Sequence, residues 1–121
     1  MSDTAETIHL IDEIELRPGT TDAFLSAFHA RYLPLARERG MELVHVWITP
    51  PETPPAAGHT VLFVWALAGV SGFWRMRSRS GDPAIADWWC EAESYSVRRT
   101  RRFAVTPDAR ARFSAAGRAH G

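Results

Sequence analysis

The sequence contains no lysine, asparagine or glutamine, and it has a single cysteine among 121 residues. The lone Cys90 excludes an intramolecular disulfide and a cysteine-only zinc site. All fourteen cationic side chains are arginine, and fourteen acidic side chains balance them to a formal net charge of zero. Because a balanced chain has no global field that attracts phosphates, we expect neither nucleic acid nor an anionic membrane as a partner.

Long apolar runs are missing as well. No stretch approaches the roughly 20 residues that span a bilayer, and the first residues show no basic-then-apolar signal segment. The length fits one domain, and 45% apolar with 23% charged residues is typical of a globular protein. We therefore expect a soluble, cytoplasmic protein with a single domain over residues 1–106 and a tail or short helix over residues 107–121.

What the sequence does contain is an alternation of strand and helix patterns. Apolar side chains at period two predict strands over residues 7–17, 41–49, 60–67 and about 101–105. The third of these strands is apolar on both faces, which is typical of a central strand. The order strand, helix, strand, strand, helix, strand predicts an α+β fold with a ferredoxin-like βαββαβ antiparallel sheet, strand order 4-1-3-2 and both helices on one face.

The two helical regions have recognisable ends. Thr20 or Thr21 is the expected N-cap of the first helix, and Gly40 is its expected C-terminal stop. Pro34 lies inside this helix and is expected to kink it, because proline lacks an amide and clashes one turn back. The second helical region is expected to start near Ser71, to break at residues 80–81, to restart at Asp82 and to continue to about residue 97.

The strands also predict a second, semi-polar face. We expect Ile8, Leu10, Ile14 and Leu16 to meet the helices together with Val44, Val46 and Ile48. Asp12 interrupts this apolar set and is interpreted as a bulge or edge position. The opposite face is expected to carry His9, Ile11, Glu13, Glu15, Leu43, His45 and Trp47. Since such a face is poorly suited to open water, we expect a second copy of the chain to cover it as a homodimer.

Several segments carry a family resemblance. The run Ile14-Glu15-Leu16-Arg17-Pro18-Gly19 is followed by Asp22-Ala23-Phe24-Leu25, and Gly40-Met41 leads into Val46-Trp47. With the apolar third strand before a tryptophan-bearing helix, the chain resembles the dimeric α+β barrel superfamily, and within it NIPSNAP-like and antibiotic-biosynthesis-monooxygenase-like small proteins. The resemblance implies a site in the barrel interior or between the sheet and the helices. The superfamily hosts many reactions, so the fold alone does not choose one.

Two ionisable residues are the candidate catalytic groups. His45 lies beside Trp47, and histidine is the commonest general acid-base side chain. Glu13 is the candidate opposing carboxylate, because an apolar cavity makes a carboxylate a better base. In the predicted strand order the two are separated by one strand, about 10 Å apart. They would therefore act on opposite ends of one small molecule.

Aromatic residues are the candidate walls of a substrate pocket. Five tryptophans are many for this length, and flat rings suit a cyclic ligand. We assign substrate binding to Trp47, Trp65, Tyr32, His9 and Trp88, although packing in the core and the dimer interface accounts for most tryptophans in such proteins. No dinucleotide or phosphate loop and no metal-binding histidine spacing is present, so no cofactor and no metal are expected.

These observations favour a cofactor-independent enzyme that acts by proton transfer on a hydrophobic cyclic small molecule, as an isomerase, dehydratase, hydratase or cyclase. One alternative is a cofactor-free monooxygenase of aromatic or polyketide-like rings, which would use the same pocket. A second alternative is a non-catalytic ligand-binding or interaction protein, in which His45 and Glu13 only stabilise the dimer.

Overall fold

An antiparallel four-stranded sheet is the centre of the molecule. The computed structural model describes residues 6–52, 57–79 and 81–112. The strands in these ranges are β1 (Ile8–Leu16), β2 (Glu42–Thr49), β3 (Thr60–Leu67) and β4 (Ser96–Ala104). Their spatial order is β2-β3-β1-β4, and neighbours pair antiparallel. The predicted strand order and α+β class are confirmed, and β3 is a central strand.

Helices follow β1 and β3. The first helical region consists of α1 (Thr21–Ala27), a π-helical turn (Phe28–Tyr32) and α2 (Leu33–Glu38). The second consists of α3 (Gly69–Ser78) and α4 (Pro83–Tyr95). Residues 107–112 form a further short helical segment, and residues 113–121 lie outside the described ranges. No helix in the described part of the chain is long and apolar enough to cross a membrane.

Two of the predicted helix boundaries are confirmed, at Asp82 and Gly40, and the predicted capping bond at Thr20 is not. Asp82 caps α4 by accepting a hydrogen bond from the Ala84 amide at 3.0 Å, as predicted. Gly40 ends the first helical region with a φ of +81°, which a glycine adopts without strain. The expected hydroxyl cap at Thr20 is wrong, because its Oγ1 donates to the Arg17 carbonyl at 2.7 Å and makes no cap bond.

Pro34 changes the first helical region without ending it. The π-helical turn directly precedes this proline, which occupies the first turn of α2. A proline in a helix removes one hydrogen bond and its ring crowds the carbonyl four residues earlier. The wider π turn makes room at that point, and such turns frequently occur at functional sites. The predicted kink therefore takes the form of a local widening.

The hydrophobic core lies between the sheet and the helices. On the sheet it contains alternate residues of β1 and β3, including Leu10, Ile14, Phe63 and Trp65. On the helices it contains Phe24, Phe28, Tyr32, Ala36, Met76, Ile85, Trp88 and Ala92. All the helices that contribute to this core pack on one face of the sheet, as the alternation predicted. In the described part of the chain, the opposite face has no layer over it.

Two predicted details of the sheet are wrong. The register between β2 and β3 shifts between Leu43 and His45. Leu43, which was expected on the open face, pairs with Trp65 on the helix side, and Val44, which was expected on the helix side, has no partner in this pairing. A bulge of this kind moves one residue to the other face, and sequence alternation cannot show it. The last strand also starts earlier than predicted, at Ser96. Its arginine-rich first half shows no apolar alternation, and it forms a strand because its backbone pairs with β1 at the edge of the sheet.

Candidate functional site

The predicted site residues lie on two different faces of the sheet. Tyr32, Trp65 and Trp88 are buried on the helix side, with exposed fractions of 2% or less. The pairing register places His9, Glu13, His45 and Trp47 on the opposite, open face. The sheet itself separates the two groups. The expectation that Trp65 and Tyr32 line one pocket with His45 and Glu13 is therefore wrong.

His45 and Glu13 occupy the open face two strands apart. The His45 ring stacks on Trp47 at 4.6 Å between centroids, and Trp47 is 54% exposed. Glu13 forms an ion pair with Arg102 at 2.8 Å, and both side chains are partly exposed. Neither His45 nor Glu13 is among the lining residues of the three cavities described below. In the single chain, these two residues do not form an enclosed site.

An aromatic cluster occupies the helix side around Tyr32. The Tyr32 ring stacks on Trp88 at 5.7 Å, lies edge-on to Trp65 at 5.9 Å and contacts Trp89 at 5.2 Å. The two adjacent tryptophans thus diverge as expected for a helix: Trp88 is buried and Trp89 is half-buried. Tyr32 is the last residue of the π-helical turn, so this turn sets the position of its hydroxyl.

A buried ion pair lies next to this cluster. Asp12 is 3% exposed and accepts hydrogen bonds from Arg101 Nε at 2.7 Å and Arg101 Nη2 at 3.0 Å. It also accepts one from Trp65 Nε1 at 3.1 Å. Burial opposes the charge of Arg101, but the hydrogen bonds and attraction of Asp12 outweigh burial, so the pKa of Arg101 is raised. The interpretation of Asp12 as a bulge or edge position is therefore wrong.

A second arginine completes the cluster. Arg39 is 2% exposed, donates from Nη1 to the Tyr32 hydroxyl at 3.2 Å and donates from Nη2 to the Met76 carbonyl at 3.3 Å. Arg101 Nη2 also donates to the Tyr32 hydroxyl, at 3.4 Å. Guanidinium groups only donate, so the Tyr32 oxygen accepts from both sides. We call Asp12, Tyr32, Arg39 and Arg101 the interior polar cluster.

The edge strand brings further positive charge to the rim of this cluster. The guanidinium of Arg99 lies 4.2 Å from the centroid of the Trp89 ring, and that of Arg101 lies 5.3 Å from it. Arg99 is exposed, whereas a quarter of the Arg101 side chain remains accessible. The Trp89 indole therefore contacts two cations at the solvent edge of the sheet–helix layer.

A cavity of about 520 Å³ lies on the helix side, between α3 and the adjoining ends of β1 and β4. It is open to solvent and almost entirely apolar. Its lining residues are Ile8, Val70, Phe73, Trp74, Phe103, Ala104, Val105 and Arg110. Phe103 follows Arg101 by two positions on the same face of β4, about 7 Å along the strand. The cavity and the interior polar cluster are therefore neighbours on one face of the sheet.

Two smaller cavities are less suited to a ring-shaped ligand. One, of about 290 Å³, lies beside Pro34 and is lined by Trp88, Arg31 and Asp87 among others. The other, of about 180 Å³, includes Thr21 and His59, whose side chains form a hydrogen bond of 2.7 Å. Tyr32, which lies two residues before Pro34, is not among the lining residues of the cavity beside this proline. Among the described residues, no three metal-ligating side chains come together.

Sequence reasoning missed Asp12, Arg39 and Arg101. Asp12 carried a usable signal, because it is the one charged residue on the apolar face of β1. Its partner Arg101 is 89 residues away and is identified only by the strand register. Arg39 carried no such signal, since an arginine near a helix C-terminus is usually a solvated charge that complements the helix dipole.

Comparison with known proteins shows a fold relationship. No protein-family model and no curated protein matches the sequence. A NIPSNAP domain protein from Burkholderia xenovorans has a TM-score of 0.66 at 19% identity, over 82% of this chain and 93% of that one. A NIPSNAP family protein from Agrobacterium tumefaciens has a TM-score of 0.66 at 16% identity, over 84% and 88% of the two chains.

The solved structure of an enzyme is also similar in fold to this chain. A variant of SnoaB, a cofactor-independent oxygenase from Streptomyces nogalater, has a TM-score of 0.55 at 14% identity, over 85% of this chain and 95% of that one. The chain thus has the α+β fold of NIPSNAP-domain proteins and of this oxygenase, which confirms the predicted fold resemblance. At these identities the likeness concerns the fold.

Proposed function

We propose that the protein binds a hydrophobic, ring-containing small molecule on the helix side of its sheet and oxygenates it without a cofactor. The observation that carries this proposal is the cavity of about 520 Å³ with the aromatic side chains of Phe73, Trp74 and Phe103 in its lining. Its volume lies within the range of small-molecule sites. Arg110 is the ionisable residue of this lining, so the cavity favours a ligand with one polar or acidic group.

The reaction class follows from what surrounds the cavity. Proton transfer by His45 and Glu13 needs both groups at the ligand, and both lie on the other face of the sheet. A substrate that supplies its own electrons needs mainly an apolar binding surface, which this solvent-open cavity offers. In such a reaction a ring methylene and O₂ give a ring ketone and water, with one oxygen atom in each product. The similarity in fold to a cofactor-independent oxygenase supports this class.

Oxygen uptake tests the proposal. A tricyclic ring ketone with an activated methylene should consume one equivalent of O₂ per molecule converted, measured with an oxygen electrode. Val70→Trp should fill the cavity and reduce ligand affinity and turnover by at least about tenfold, since it removes most of the apolar contact area. Val97→Trp is the matched control, because Val97 is also exposed and lies outside the cavity.

The outcomes separate the three candidate functions. Turnover without oxygen uptake would refute the oxygenase and favour an enzyme that acts by proton transfer. Ligand binding without any turnover would favour a binding protein. Binding that Val70→Trp leaves unchanged would refute the cavity as the site.

A homodimer is the second part of the proposal. The open face presents Trp47 at 54% exposure beside half-buried Ile11, Leu62 and Val64, an apolar surface that a second copy would cover. In such a dimer, His45 and Glu13 would line the enclosed space, and they are the candidate acid-base pair of an isomerase or lyase. Analytical ultracentrifugation should find a dimer that Trp47→Glu converts to monomer. A wild-type monomer at micromolar concentration would contradict this part.

A further inference from the structure

The interior polar cluster contains more positive than negative charge. Two guanidiniums, Arg39 and Arg101, donate to the Tyr32 hydroxyl, and among the described residues Asp12 is the one carboxylate in the cluster, bonded to Arg101. Arg39 is 2% exposed and has no carboxylate within 4.0 Å among the residues that the structure describes. A buried charge without a counter-ion is strongly unfavourable, so the net charge of one calls for a compensating anion.

The unused hydrogen-bonding groups in this region are donors. The Nε atom of Arg39 and the Nε1 atom of Trp88 are buried and have no hydrogen-bond partner in the part of the chain that the structure describes. The Tyr32 hydroxyl accepts from both arginines, and its own hydrogen has no acceptor among the described residues. Asp12, the acceptor of the cluster, already receives three hydrogen bonds. The missing component is therefore an acceptor atom, and the charge balance requires that it be negative.

One residue of the cluster, Arg101, lies on the same face of β4 as a residue of the cavity lining. A quarter of the Arg101 side chain is accessible, and its Nη1 atom takes part in none of the hydrogen bonds within the described ranges. Phe103, its neighbour on the same face of β4, lines the cavity. An anionic group of a ligand bound in the cavity would therefore reach the cluster by extending along β4 from Phe103 toward Arg101, a distance of about 7 Å.

We propose that the interior polar cluster binds an anionic oxygen group of the ligand, such as a carboxylate, and that the excess charge of Arg39 selects anionic over neutral ligands. This inference rests on the proposed ligand site on the helix side. The anion would approach Arg101 Nη1 and compensate the charge that Asp12 leaves unbalanced. Removing the charge of Arg39 leaves a neutral Arg101–Asp12 pair and should abolish the selection.

Paired ligands test this proposal. Naphthoate and naphthalenemethanol share a fused ring and differ in charge, and their dissociation constants can be measured by titration calorimetry at fixed ionic strength. The wild-type protein should prefer naphthoate by at least about tenfold, the value of one charge-assisted hydrogen bond. Arg39→Met should abolish this preference and leave the affinity for naphthalenemethanol unchanged, and Arg39→Lys should retain the preference because it keeps the charge.

Arg110→Met provides the matched control within the cavity lining. If Arg110→Met removes the preference and Arg39→Met does not, the anion binds Arg110 and the proposal is overturned. Equal wild-type affinities for the two ligands overturn it as well, and that result needs no folded variant. A purely structural Arg39, which only bonds the Met76 carbonyl at the end of α3, would lower the melting temperature of Arg39→Met without changing the preference. Failure of both ligands to bind would instead refute the proposed cavity.

Discussion

Asp12→Asn is the substitution that most directly probes the interior polar cluster. Asp12 is 3% exposed and its carboxylate accepts three hydrogen bonds, two of them from a guanidinium. Asparagine keeps the size of the side chain but removes the negative charge. The cluster then contains two arginines and no counter-ion.

The expected loss of stability follows from the geometry. Removing one member of a buried ion pair costs about 3–5 kcal/mol. Because 25% of the Arg101 side chain is accessible to water, which compensates part of the charge, we expect the lower end, about 3 kcal/mol. For a chain of this length that loss corresponds to a decrease in melting temperature of about 10 °C. Urea denaturation followed by tryptophan fluorescence measures the change, with an unchanged m value showing that the unfolded state is unaffected.

Glu13→Gln is the matched control on the same strand. Glu13 and Arg102 form a single ion-pair contact at 2.8 Å with 40% and 60% of their side chains exposed, and we expect the substitution to cost less than about 1 kcal/mol. If Asp12→Asn loses no more stability than Glu13→Gln, the cluster does not contain a strongly coupled buried charge. The reasoning about Arg39 and Arg101 would then be wrong.

Three further predictions concern other parts of the chain. Gly58→Ala places a Cβ 1.9 Å from the Leu16 carbonyl oxygen and should cost about 1–3 kcal/mol in urea denaturation, whereas Gly81→Ala meets nothing within 4 Å and should be nearly neutral. A Gly58→Ala protein as stable as the wild type would contradict this packing. Tyr32→Phe removes the oxygen that accepts from two arginines and should cost about 1–3 kcal/mol, and a neutral result would show that the oxygen is not needed there. A side-chain hydrogen bond from Arg112 lowers the pKa of Glu6, so this contact stabilises the chain above pH 4.5 and is lost as the pH falls through the lowered value. The hydrogen-exchange protection factors of residues 107–112, which correct for the intrinsic pH dependence of exchange, should therefore fall at acid pH in the wild type but not in Glu6→Gln, and identical profiles would show that the contact is not formed.

The sequence allowed most of the fold to be predicted, because period-two alternation is a strong signal wherever one face of a strand is buried. Leu10, Ile14 and Leu16 occupy the predicted face, and Asp82 with Pro83 marks the start of α4. The failures occur where local pattern does not decide the structure. The bulge at Val44 depends on pairing with β3, and the arginine-rich half of β4 is a strand because β1 provides its hydrogen bonds.

The candidate site was predictable only in part. Tyr32, Trp65 and Trp88 were predicted as aromatic walls of a substrate pocket, and the structure packs these three together in the core. His45 and Trp47 lie side by side on the face that the alternation predicted to point away from the helices, and that same alternation already separates them from Tyr32 on the first helical region. Asp12, Arg39 and Arg101 come from three distant segments, and their juxtaposition depends on the tertiary fold.

The location of the ligand is the central claim, and the tryptophans allow it to be tested directly. Trp74 lines the cavity on the helix side and is 62% exposed, whereas Trp47 lies on the open face and is 54% exposed. Their indole N–H resonances are therefore similarly accessible reporters on opposite faces of the sheet. In a titration with naphthoate followed by ¹⁵N–¹H NMR, we predict that the Trp74 resonance shifts to saturation and that of Trp47 does not move. A saturating shift of Trp47 with Trp74 unchanged would place the ligand on the open face and refute the proposed cavity site.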